Sequence, residues 1–147
     1  MSNLLPNQLF HAWFERGWNQ GDESAIDEYF SKTITMVDLP FADGKPLDRE
    51  GFKLFFRNFR SAIPDVHITI HRTITEGQFC AIYCEVTGTH TGQGLGIAPT
   101  GLKVHFMGMT WARTENGQFQ EGRNCFDFLT MYQQLGIVPA TDRKSVV

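Results

Sequence analysis

The sequence predicts an α+β fold, and three observations carry that prediction. Helical spacing of apolar residues dominates the chain up to Pro64, alternation of the β type dominates residues 66–128, and glycine-containing turns separate the later segments. Helices laid on one face of an antiparallel sheet satisfy both periodicities.

From Asn7 to Asn19, the residues Leu9, Phe10, Trp13, Phe14 and Trp18 recur at three- and four-residue steps, the spacing of an amphipathic helix. Gly21 ends it, and Asp22 is placed to cap a second short helix with Ala25, Ile26, Tyr29 and Phe30 inside. Residues 33–37 (TITMV) alternate β-branched side chains and read as a strand, followed by a loop containing Pro40, Asp43, Gly44 and Pro46. Asp48 caps a third helix with an inner stripe of Phe52, Leu54, Phe55, Phe56, Phe59 and Ile63, stopped by Pro64. Four strands follow at about 66–75, 79–91, 103–114 and 118–128, and their connections include the hairpin signals at 76–77 and 115–117. A helical segment at 129–135 closes the pattern, and the chain after Pro139 is expected to fray.

A chain of 147 residues without a linker or repeat is expected to form one domain over 1–147, with its core at about 8–137 and a tail at 138–147. The net charge is -3, and the 13 Lys and Arg are scattered, which argues against nucleic acid as a partner. No stretch approaches the ~20 apolar residues of a bilayer span, and the opening MSNLLPNQLF has no basic segment leading into an apolar one. Both features predict a cytoplasmic protein away from membranes. Cys80, Cys84 and Cys125, odd in number and within predicted strands, read as packed, reduced thiols. Phenylalanine outnumbers the other aromatics, 13 against 3 Trp and 3 Tyr, so many rings carry no polar handle and suit a core or an apolar pocket.

The string GTHTGQGLGIAPTG (88–101) is similar to the signature of SnoaL-like polyketide cyclases, a family of the nuclear transport factor 2-like superfamily. WNQGD (18–22), IPDVHITI (63–70), ENGQFQEG (115–122) and QQLGI (133–137) resemble the same family in order and spacing, over about residues 8–137. The resemblance implies a cone: a strongly curved, mixed or antiparallel sheet wrapped around three N-terminal helices and enclosing an apolar pocket. It also implies a homodimer paired through the sheets. The implied activity is cofactor-independent acid/base catalysis, an intramolecular aldol cyclisation or isomerisation, on a small apolar or polycyclic carbonyl compound.

Within that resemblance, EGRNCFD (121–127) matches the family's glutamate-histidine-tryptophan-x-x-x-aspartate motif, with Gly122 in place of the histidine and Arg123 in place of the tryptophan. Asp127 is thereby the expected acid/base, with a helix N-cap as its structural alternative. Simple alternation places Phe119, Glu121, Arg123, Cys125 and Asp127 on one face of the last strand. Arg123 is expected to hold a substrate oxygen or to pair with Glu121, and His90 to orient substrate or to serve as a turn residue. The expected pocket residues are Phe14, Trp18, Asp38, Phe55, Phe59, His67, His105, Met107, Met109 and Trp111. The five histidines lack close ligand spacing, so neither a metal nor another cofactor is expected.

Two other functions fit parts of the sequence. RNCFD resembles a stretch of limonene-epoxide hydrolases, but Asn124 stands where one of their aspartates would be, and residues 85–89 lack the arginine and aspartate that complete the triad. A non-catalytic domain that binds a hydrophobic ligand, or mainly pairs with a second copy, fits the same cavity. Its distinguishing sign is a pocket without accessible titratable groups.

Overall fold

A computed structural model describes residues 4–40 and 42–139. The architecture is α+β. Helix α1 (Pro6–Trp13) continues into a π-helical turn (Phe14–Asn19), and is followed by α2 (Ser24–Tyr29), β1 (Phe30–Val37) and α3 (Arg49–Ala62). Strands β2 (His67–Glu76), β3 (Phe79–Thr89), β4 (Lys103–Glu115) and β5 (Gln118–Phe126) precede the closing helix α4 (Phe128–Gln134). The sheet is mixed, in the order β1-β5-β4-β3-β2. β1 runs parallel to β5, and every other pair is antiparallel. No helix among the described residues is long and apolar enough to cross a membrane. The tail expected to fray at Ala140–Val147 lies outside the described residues.

Pro6 starts α1 where a missing amide is harmless, and Leu9, Phe10 and Trp13 bury its inner side. The π-turn then adds a residue to the helical repeat and brings Phe14, Gly17 and Trp18 inward together. Gly17 is required there: a Cβ at this position would lie 2.1 Å from the Trp13 ring, which rests over the backbone. α3 begins at Asp48, whose carboxylate accepts the Gly51 amide at 2.7 Å. Its inner stripe is Phe52, Phe56, Phe59 and Ala62, whereas Leu54, expected inside, is 57% exposed on the opposite side of the helix.

These helices meet in an aromatic cluster. Trp13 lies 4.8 Å from Phe30 and 5.9 Å from Phe52, and Trp18 lies 4.9 Å from Phe56. Burying each such side chain stabilises the fold by roughly 1.5–3 kcal/mol. Salt bridges on the outer side of the helices, Lys53 to Asp27 at 2.7 Å and Arg16 to Asp22 at 2.9 Å, tie the elements together away from the sheet.

Three register irregularities bend the sheet, one of which fixes the phase of β5. On β4, consecutive Arg113 and Thr114 pair with Glu121 and Phe119, so Gln120 is an extra residue on β5. Its side-chain amide donates to the Thr33 carbonyl of β1 at 3.0 Å, bridging the gap in the parallel pairing.

The start of edge strand β2 is closed by a side chain rather than a strand. Asn19 accepts the Ile68 amide at 2.7 Å and donates to the Ile68 carbonyl at 3.1 Å, imitating a ladder pair. Asn19→Ala leaves both partly buried backbone groups unpaired, and is expected to cost about 1–3 kcal/mol in urea unfolding. A loss below ~0.3 kcal/mol would show that this closure is incidental.

Candidate functional site

The inner face of the sheet and the aromatic side of α1, the π-turn and α3 enclose a cavity. Its empty space is about 660 Å³ with the open mouth counted. Phe14, Trp18, Phe55 and Phe59 line it. The same wall continues through Trp13, Phe52 and Phe128.

The floor is built by β4 and β5. Two cross-strand pairs face inward: Ala112 with Gly122, and Thr110 with Asn124. Thr110 and Asn124 are the polar side chains of the lining, and no titratable side chain lines the cavity among the described residues. The Thr110 hydroxyl donates to the Arg123 carbonyl at 3.1 Å, keeping its lone pairs. The Asn124 amide donates to the Val37 carbonyl at 2.9 Å, which uses one of its four hydrogen-bonding positions. The arrangement can offer a ligand a hydrogen-bond donor and acceptors in surroundings of low dielectric, where such bonds are strengthened.

Asp127, expected as the cavity base, is outside it. The bulge at Gln120 shifts the alternation after Phe119, so Gly122, Asn124 and Phe126 turn inward while Glu121, Arg123, Cys125 and Asp127 turn outward. Asp127 is exposed and caps α4, accepting the Thr130 amide at 3.1 Å and the Thr130 hydroxyl at 2.6 Å. Arg123 is likewise exposed and donates to Glu121 at 3.1 Å, its surface alternative.

His90 is fully buried but does not line the cavity. Its Nδ1 accepts the Thr100 amide at 3.2 Å, while its backbone pairs with Leu102 and Gly101 at 2.9 and 2.8 Å. The neighbouring Thr91 and Gly92 amides donate to the Ala62 carbonyl at 3.1 and 3.0 Å, closing the end of α3. The signature loop is therefore a brace between the sheet and α3.

The remaining expected pocket residues also lie elsewhere. Asp38 is exposed at the end of β1 with φ 66°, and its neighbour Leu39 lines the cavity instead. His67 lines a separate polar cleft with His11 and Glu15. On β4 the inward set is Phe106, Thr110 and Ala112 with Gly108 buried between them, so Met107, Met109 and Trp111 occupy the outer face. His105 is on that face too, where it and His71 hydrogen-bond the two oxygens of Glu85. Those bonds, the one from His71 first, hold the Glu85 carboxyl below its ordinary range.

Thr110, Gly122 and Asn124 were not among the expected site residues. A usable signal was present in the small residues Gly108, Thr110 and Ala112, which mark the face where bulky rings arrive.

The sequence matches the model of the SnoaL-like polyketide cyclase family over residues 8–135. The chain belongs to that family. IdmH from Streptomyces antibioticus, provisionally assigned as a polyketide cyclase, is 26% identical with a TM-score of 0.77, covering 89% of this chain and 98% of its own. AclR from Streptomyces galilaeus, provisionally assigned as a hydroxylase, is 20% identical with a TM-score of 0.81, covering 96% of this chain and 87% of its own. A Catenulispora acidiphila protein with a ketosteroid isomerase-like fold, solved with trimethylamine, is 20% identical with a TM-score of 0.72. It covers 90% of this chain and 95% of its own. A comparison with curated proteins found no match.

The capping role of Asp127 makes a prediction that separates it from catalysis. Asp127→Ala is expected to lower stability by about 1 kcal/mol in urea unfolding and to leave the affinity of a cavity ligand unchanged. A tenfold loss of affinity without loss of stability would return Asp127 to the site.

Proposed function

We propose that this SnoaL-like protein binds a small, flat, largely apolar carbonyl compound in the aromatic cavity, with the ligand oxygen at the Thr110–Asn124 pair. The observation that carries the reading is the lining itself: rings on the walls, small residues on the floor, and two uncharged polar side chains side by side. Apolar burial supplies the affinity, and the hydrogen-bonding pair supplies orientation. The absence of titratable lining groups among the described residues favours holding a ligand over transferring a proton through a carboxylate.

The cyclase reading draws support from the family and from the likeness to IdmH. In this cavity it takes a modified form: the walls fold the substrate so that the carbon of its enol form attacks a second carbonyl of the same molecule, the enol O–H proton ends on the new hydroxyl, and Asn124 donates to the oxygen on which charge develops. Recovery of the ligand unchanged favours binding alone, and appearance of a ring-closed product favours cyclisation.

Trp13 and Trp18 line the cavity, so their fluorescence reports on its occupation. Titration with 2-acetylnaphthalene is expected to quench it. Asn124→Leu is expected to weaken that ketone about tenfold, equivalent to ~1.4 kcal/mol, while 2-ethylnaphthalene is affected by less than about twofold. Equal effects on the two compounds would remove Asn124 from ligand recognition.

We further propose that the outer sheet face pairs with a second copy, as the family resemblance implies. The support is an apolar band of Tyr83, Met109, Phe79 and Trp111, the first three being 42%, 54% and 40% exposed. Light scattering is expected to give twice the chain mass, and Met109→Arg to halve it. A native mass of one chain would end this proposal. The three unpaired cysteines fit a reducing compartment such as the cytoplasm.

A further inference from the structure

We infer that Met36 is the residue that sets ligand size, an adjustable stop on the cavity floor one row from the polar pair. The inference rests on the proposed binding reading and deepens it.

The floor consists of parallel rows across three strands. In one row, Met36 of β1 pairs with Gly122 of β5, which pairs with Ala112 of β4. Two residues further along, the next row holds Asn124 and Thr110. All five line the cavity. The first row thus joins one long flexible side chain to two of the smallest.

Gly122 is what allows Met36 its position. A Cβ built on Gly122 would lie 2.4 Å from the Met36 sulfur and 3.2 Å from its terminal methyl. The thioether therefore occupies the space that any side chain at 122 would fill. Gly122 is not among the glycines with positive φ, so its lack of a side chain matters here for room rather than for backbone conformation.

Met36 is anchored at its backbone and adaptable at its tip. Its amide donates to Leu47 at 2.9 Å and its carbonyl accepts from Leu47 at 2.7 Å, while the side chain is 8% exposed. An unbranched thioether has three rotatable bonds and makes favourable contacts with aromatic edges. With a ligand oxygen held at Asn124, added rings extend over Gly122 and Ala112 and meet the methionine. A longer ligand held at Asn124 then presses harder on the methionine than a shorter one.

Two ketones of equal polarity and different length, 2-acetylnaphthalene and 2-acetylanthracene, test this by tryptophan fluorescence. Native protein is expected to prefer the two-ring compound. Met36→Ala is expected to raise the affinity ratio of three-ring to two-ring ligand at least tenfold, and adding Gly122→Ala to that variant to reverse most of the gain. Met36→Val, a smaller change suited to a strand, is expected to shift the ratio in the same direction if the alanine variant fails to fold. A ratio that stays within twofold of native in the folded variants would overturn the role of Met36 while leaving the binding reading intact. Failure of the native protein to bind either ketone would overturn both.

Discussion

The cavity exists because bulky rings on the helices meet small side chains on β4 and β5, and that meeting depends on the extra residue at Gln120. With Gln120 inserted, Phe119 faces inward at one end of β5 and Gly122, Asn124 and Phe126 face inward beyond it. Without the insertion, strict alternation would carry Glu121, Arg123 and Asp127 into the aromatic cluster. Unpaired charges buried there would each cost several kcal/mol. The bulge thus keeps the interior apolar, and the Gln120 amide bond to Thr33 holds the bulge where the parallel pairing with β1 is interrupted.

The same phase separates two chemistries on opposite sides of one sheet. Inside, the lining among the described residues is ringed by aromatic side chains and carries the uncharged Thr110–Asn124 pair, whose hydrogen bonds gain strength from dry surroundings. Outside, the ionisable groups satisfy one another: Arg123 with Glu121, and both His71 and His105 with Glu85. Asp127 sits at the boundary, where β5 ends and the first turn of α4 needs an acceptor. Its carboxylate is spent on backbone geometry, and its place at a strand end follows from that.

The signature segment 88–101 has a comparable role. His90 and Thr100 lock the base of the loop, and Thr91 and Gly92 receive the end of α3. This brace holds α3, and with it Phe55 and Phe59, against the sheet. A motif that carries family membership is here the frame of the cavity rather than part of its lining.

Helices were legible in the sequence because their apolar residues recur on one side only; spacing set Phe14, Trp18, Phe55 and Phe59 on the inner side, and the expectation of a cavity there came from the family resemblance. The strands were legible as strands, down to the hairpins at 76–77 and 115–117. Their phase was not. On β4 both faces carry apolar residues, so Met107, Met109 and Trp111 were as plausible inside as Phe106 and Ala112; on β5 one inserted residue reversed the outcome between Phe119 and Asp127. Periodicity, turn residues and motifs were enough to read off the elements, their order and the family. Which sheet face meets the rings emerged from the folded chain, because alternation has a period of two whatever lies against it, and the choice between its two phases belongs to the packing partner.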